Sequence, residues 1–338
     1  MQKNKYPALF LALLLLLTGC TAKQVEATSQ IFAMDTVMDF YAVGENAESV
    51  LTEAAQEINR LEALLSRTRQ GSEVDTLNRC GSAALSDETA ALLRAALDYC
   101  AKTGGAFDIT IAPLVDAWNI HGESPRVLTR DEIAALLPLV GSEYLHLSGN
   151  NVTLDSGCAI DLGGIAKGYA SDVIARLYRE RNIEGGWISL GGNVYAHGTK
   201  PDGSGWNVAV RDPRDTAATA AIVTLSNEFA VTSGGYQRYF TAEDGTVYQH
   251  ILDPKTGKPA QSDLLSVTII TDNGTMADAY STALYVMGES GAVSYWDANR
   301  AEFDMVLITA DGRLLYTPGL LGRITAQEGG PYEVYALT

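Results

Sequence analysis

From Trp187 to Leu252 the chain offers one short β-type run after another, at residues 187–190, 194–198, 206–211, 221–225, 229–232, 237–240 and 248–252. The gaps between them are too short for crossover helices, so neighbouring strands are expected to run antiparallel. A further strand at 264–271 and a hairpin, 305–309 and 314–316 around Asp311-Gly312, extend the pattern. Helical periodicity lies mostly before this block. Residues 47–66 carry Val50, Ala54, Ile58, Leu61 and Leu65 on one face. Ser86 can cap a helix that runs to Lys102 and stops at Gly104-Gly105, and Thr129-Arg130-Asp131-Glu132 has the pattern of a capping box. Residues 169–181, 275–287 and 292–299 read as helices, 31–43 as one strand and 66–84 as polar loop. Gly149-Asn150 joins two short runs as a hairpin. The class is α+β, largely antiparallel sheets with flanking helices.

The N-terminus constrains location. Lys3 and Lys5 precede an apolar run, residues 8–17, which ends in Leu17-Thr18-Gly19-Cys20. Residues 1–19 are read as a lipoprotein signal peptide, too short to be an ordinary membrane span, with Cys20 lipidated. Residues 20–30 then form a tether, and 31–338 one domain of two intimately joined lobes. The expected location is exported, lipid-anchored at the outer face of a bacterial cytoplasmic membrane or the periplasmic side of the envelope. A formal charge of −17 argues against nucleic acid or an anionic lipid surface as the main partner. Cys80, Cys100 and Cys158 are odd in number and lack CxxC spacing, so neither a full disulfide framework nor a zinc site is expected. A Cys80–Cys100 bridge is an alternative to free buried thiols, which are favoured. His121, His146, His197 and His250 are too scattered to announce a metal cluster.

Three strand ends run into paired glycines. Asp161-Leu162-Gly163-Gly164-Ile165-Ala166-Lys167-Gly168-Tyr169-Ala170 leads from a strand-like run into an amphipathic helix. Such a turn places helix N–H groups where an anion is favoured, or else is only a tightly packed turn. It has neither the closing Lys-Ser/Thr of a P-loop nor the dinucleotide glycine spacing. Ser189-Leu190-Gly191-Gly192-Asn193 and Thr232-Ser233-Gly234-Gly235-Tyr236-Gln237-Arg238 repeat the theme, with Arg238 as a fork for phosphate. Three such turns favour one shared cleft. Asp278 and Thr282 lie one helical turn apart, which suits either Mg²⁺ or a helix-start acid with a hydroxyl bonded back to the chain. His250, on a strand beside the Asp253-Pro254 turn, is open to a role as base, as phosphate donor or as a structural histidine. Ser233 is weak as a hydrolytic nucleophile because G-x-S-x-G is absent.

Together these segments resemble the ApbE family of FAD:protein FMN transferases. The resemblance runs through residues 32–36, Ser66, Asn78, Gly105-Ala106-Phe107-Asp108-Ile109-Thr110, Pro113-Leu114, Trp118, residues 161–170, 189–193, 233–236, 250–257 and 277–284. It implies an ApbE-like, T-fold-related architecture and an enzyme that uses Mg²⁺ to split FAD. FMN would pass through a phosphoester to a threonine of an acceptor redox protein, with AMP released. It further implies Ala166 carbonyl oxygen, Asp278 and Thr282 as metal ligands. Met34, Gly105, Ala106, Phe107, Asp108, Thr110, Gly191, Gly192 and Ser233 would line the flavin and adenine site. His250 and Asp278 would be catalytic, with Asp161, Lys167 and Arg238 in support. Asp35 stands where many relatives have glycine, and Ile109 where proline is frequent. A Mg²⁺-dependent FAD pyrophosphatase and a flavin-binding surface lipoprotein are the alternatives.

Overall fold

A computed structural model describes residues 25–120 and 122–338; the expected signal segment, Cys20 and His121 lie outside the described residues. Nine strands build the principal sheet: β1 (Glu26–Ala33), β2 (Thr36–Val43), β3 (Gly185–Leu190), β4 (Asn193–Gly198), β5 (Glu228–Gly234), β6 (Leu264–Thr271), β7 (Asp304–Thr309), β8 (Arg313–Tyr316) and β9 (Glu333–Ala336). Their spatial order is their chain order. Every neighbouring pair is antiparallel except β8 with β9. Alternate side chains along the inner strands serve two cores. On one face Val267, Ile269, Met305 and Leu307 join the main core with the helices. On the other, Ile270, Val306 and Ile308 pack against Val208, Val210 and Val223 of a second sheet (Trp206–Arg211, Thr219–Leu225, Ile324–Ala326).

The helical layer comprises α1 (Ala47–Leu65), α2 (Glu73–Cys80), α3 (Asp87–Lys102), α4 (Ala112–Trp118), α5 (Arg130–Leu136), α6 (Ala166–Glu180) and α7 (Gly274–Ala298) among the described residues. The expected face of α1 is buried throughout, at about 1.5–3 kcal/mol for each large apolar side chain. Ser86 caps α3 by accepting from Thr89 N–H, and the Thr129/Glu132 capping box forms in full. No helix among the described residues is long and apolar enough to cross a membrane.

Several expectations need correction. The strand expected at 31–43 is a two-residue hairpin, because Met34 (φ 47°) and Asp35 (φ 60°) both take left-handed backbone between β1 and β2. Strand β1 begins at Glu26, inside the stretch expected as tether, since its residues pair one for one with β2. The loop expected at 66–84 contains α2, capped by Ser72 and ended by Gly81 at φ 69°. The helices expected at 275–287 and 292–299 need no such correction: within Gly274–Ala298 two helices meet at a kink at Gly288, where φ is 72° and ψ −179°. The strand expected at 237–240 begins only at Tyr239, and that at 248–252 is broken, so His250 sits at a bend and not on a strand. There the Gln249 side chain accepts from Ile251 N–H at 2.7 Å and donates to Ala260 carbonyl oxygen at 2.9 Å, drawing the chain from its ladder. The three described cysteines are free; Cys100 and Cys158 are buried and Cys80 is exposed.

Candidate functional site

The three glycine turns converge on one cavity of about 1050 Å³. Its floor is made where two helices begin. The first turn of α6 carries Ala166 and Lys167, and α7 carries Asp278 and Thr282; all four line the cavity. Asp278 is 4% exposed, and its Oδ2 accepts from Gly168 N–H at 2.8 Å. A carboxylate facing the open start of another helix is favoured by the helix dipole as well as by the bond itself. This approach needs glycine at 168: a Cβ there would run into Gly274 carbonyl oxygen and come within 2.6 Å of Asp278 Cβ. Beside the carboxylate, Ser233 Oγ lies 2.8 Å from Ser281 Oγ and 3.2 Å from Thr282 Oγ1.

The floor offers the Asp278 carboxylate and the Thr282 hydroxyl, both hard oxygen donors, beside Ala166 at the start of α6. That donor set fits Mg²⁺, which takes few protein ligands and keeps places for water and phosphate. No group of three or more His, Cys, Asp or Glu side chains converges as a metal cluster among the described residues.

The walls bring in most of the remaining candidates. Met34, Ala106, Phe107, Asp108, Asp161, Gly191, Gly192, Ser233, Arg238 and His250 all line the cavity, whereas Gly105 and Thr110 do not. Thr110 is fully buried and instead braces the loop: its Oγ1 donates to Asp108 Oδ1 at 2.6 Å and accepts from Gly141 N–H at 2.7 Å. Asp108 also accepts from Thr110 N–H and Ser142 N–H, so its carboxylate holds the loop that presents Phe107. Burial pushes its carboxyl above the usual carboxylate range, against those hydrogen bonds. Gly191 (φ 59°) and Gly192 (φ 105°) form the turn between β3 and β4, leaving a bare backbone wall where a flat ligand can approach. Asn193, next in the chain, is buried at the cavity edge, and its Nδ2 lacks a partner among the described residues.

The rim is looser. Arg238 donates to Asp35 carbonyl oxygen at 2.5 Å, tying the β1–β2 turn to the segment that carries the histidine. His250 Nδ1 lies 3.1 Å from Arg238 carbonyl oxygen. A carbonyl oxygen only accepts, so that bond puts the proton on Nδ1 and leaves Nε2 as the basic nitrogen of the neutral ring. Asp253 serves its turn, accepting from Lys255 N–H and Thr256 Oγ1. Two cavity residues escaped the sequence reading. Arg67 pairs with Asp161 at 2.7 Å and Asp116 at 2.6 Å, fixing the entrance to the α6 turn. Glu62 accepts from Met34 N–H at 2.6 Å and holds the hairpin down. Both contacts join residues far apart in the chain; the only local hint is the arginine beside Ser66.

Of the other described histidines, His197 is core: it lies between Tyr195 Oη and Ile183 carbonyl oxygen, and burial lowers its pKa. His146 is exposed and pairs with Asp155.

The sequence pattern of the ApbE family matches residues 34–307. The chain is 32% identical over 315 residues to the FAD:protein FMN transferase of Vibrio cholerae, covering 89% of this chain and 93% of that one. It is 33% identical over 299 residues to the FAD:protein FMN transferase of Treponema pallidum, covering 82% and 81%. Among solved structures, the ApbE protein of Thermotoga maritima superposes with a TM-score of 0.83 at 30% identity, over 88% of this chain and 99% of that one. The apo flavinyl transferase ApbE of Pseudomonas stutzeri gives 0.79 at 27% identity, over 89% and 97%. The matched stretch opens at the hairpin turn that forms the cavity rim and runs past the helix that supplies its floor; the chain belongs to the ApbE family.

Proposed function

We propose that the protein binds FAD in this cavity and transfers its FMN portion to a threonine hydroxyl of an acceptor redox protein, releasing AMP. The observation that carries the reading is the convergence of Ala166, Asp278 and Thr282 in the same cavity as Phe107, the Gly191-Gly192 turn and His250. The names of the relatives support the same transfer. Ala166 carbonyl oxygen, Asp278 and Thr282 would hold Mg²⁺. When bound, that ion neutralises charge on the pyrophosphate and on the departing AMP.

The chain's own groups supply the rest. The glycine turn and Phe107 receive flat rings of the dinucleotide, while Lys167 and Arg238 supply positive charge toward its phosphates. Nε2 of His250 takes the proton of the attacking threonine hydroxyl. An oxygen–phosphorus bond forms to the acceptor, the bond between the two phosphates breaks, and AMP leaves with the electron pair. Export and a lipid anchor at Cys20 belong to the same proposal. Their support is the charged, apolar and Leu-Thr-Gly-Cys succession of the first twenty residues.

The test is incubation with FAD, Mg²⁺ and a threonine-containing acceptor, followed by nucleotide chromatography and fluorescence of the denatured acceptor. AMP with covalently fluorescent acceptor is the expected outcome. AMP with free FMN alone would make the protein a pyrophosphatase, and bound FAD without AMP would make it a binder.

A further inference from the structure

Asp172 is a buried carboxylate that takes no part in the mechanism above. It lies on α6, and its carboxylate bonds to the start of α7. Oδ1 accepts from Gly274 N–H at 2.8 Å, and Oδ2 accepts from Thr275 N–H at 2.7 Å and Thr275 Oγ1 at 2.5 Å. Asn273 completes the cap, its side chain accepting from Met276 N–H and its carbonyl oxygen from Ala277 N–H. The first four N–H groups of α7 are thereby satisfied, two of them from another helix. Arg176, one turn along α6, contributes favourable charge to the buried carboxylate.

The arrangement is reciprocal. Asp172 of α6 holds the start of α7, while Asp278 of α7 holds the start of α6 through Gly168 N–H. Between these two links the backbones touch: a Cβ at Gly274 would lie 2.9 Å from Gly168 carbonyl oxygen, and one at Gly168 would strike Gly274 carbonyl oxygen. Two carboxylates and two glycines thus fix how far apart the helix starts sit. Ala166 opens one helix, and Asp278 and Thr282 lie in the second and third turns of the other. The spacing of Ala166 and Asp278 follows from this crossing, while Thr282 is also held by Ser233 of β5.

We propose that Asp172 is a positioning residue for the divalent-cation site, holding Asp278 and Thr282 in register with Ala166 through the start of α7. The inference rests on the cation site proposed above. Its signature is a loss of cation affinity larger than the loss of fold stability explains, since residues that orient metal ligands govern affinity by roughly 10–100-fold.

The test is Mg²⁺ binding by calorimetry, without FAD, on wild type and variants whose folding is checked by circular dichroism and thermal melting in EDTA. Asp172→Asn keeps the shape but faces the α7 N–H groups with an amide; its Mg²⁺ dissociation constant should rise by about 10-fold or more. Thr275→Val removes only the hydroxyl donor and should give a smaller rise in the same direction. It decides the matter if Asp172→Asn does not fold. Thr317→Val, which loses bonds to Asp304 and Met305 distant in the chain from both helix starts, should melt earlier yet bind Mg²⁺ as wild type does. Unchanged affinity in the folded Asp172→Asn or Thr275→Val variant overturns this proposal alone, as does equal loosening by Thr317→Val. A wild type that takes up no Mg²⁺ overturns the cation site and this proposal together.

Discussion

The floor and the rim of the cavity are built by different means. The floor is a crossing of two helix starts, with Gly168, Asp278, Gly274 and Thr275 buried and the N–H groups paired to carboxylates. The rim is a two-residue turn, Met34-Asp35, held by Glu62 below and Arg238 across, with His250 at a bend between two short strands. In the floor, any displacement costs packing and several buried hydrogen bonds at once, so its geometry is fixed by the core. In the rim, the turn and the bend are held by hydrogen bonds at part-buried and exposed positions, so displacement there costs less packing than in the floor. On the proposed function, cation chemistry falls to the closely packed part, and proton transfer and substrate entry to the rim.

That contrast can be broken at graded cost. Asp278→Ala strikes the floor and should lower transfer on the order of 10³-fold, by removing the charged ligand and leaving Gly168 N–H unpaired; AMP release measured against Mg²⁺ concentration checks it. His250→Ala strikes the rim and should lower turnover by about 10²-fold while leaving thermal stability near wild type, as acceptor fluorescence with time will report. Gly168→Ala drives a methyl group into Gly274 and Asp278, and should cost about 1–3 kcal/mol in denaturant unfolding, with weaker cation binding. The smallest effect is at the turn. Asp35→Gly relieves a left-handed residue and should raise stability by up to about 1 kcal/mol, with the Arg238 bond to the main-chain carbonyl retained.

The chain's sequence disclosed the parts more readily than their assembly. Strands spaced a few residues apart and caps such as Ser86 and Thr129-Glu132 act locally, so the antiparallel sheet and the helix starts were legible. Short elements were not: α2, with Ser72 and Gly81 at its ends, hid in a polar stretch, and α4 opens on Pro113 within seven residues. The Met34-Asp35 turn was missed because neither residue is the glycine or asparagine that left-handed backbone usually selects. Paired glycines foretold one cleft, and Asp278 with Thr282 line it. Arg67 with Asp161, and Asp172 with Thr275, were invisible, because each joins segments about a hundred residues apart and no local pattern encodes the meeting.

The division between floor and rim is tested most directly by Mg²⁺ calorimetry on Asp278→Ala and His250→Ala side by side. The account predicts that the first variant takes up no measurable Mg²⁺, while the second binds it with the wild-type constant and yet transfers FMN about 10²-fold more slowly. Wild-type Mg²⁺ affinity in Asp278→Ala, or its loss in His250→Ala, would contradict it.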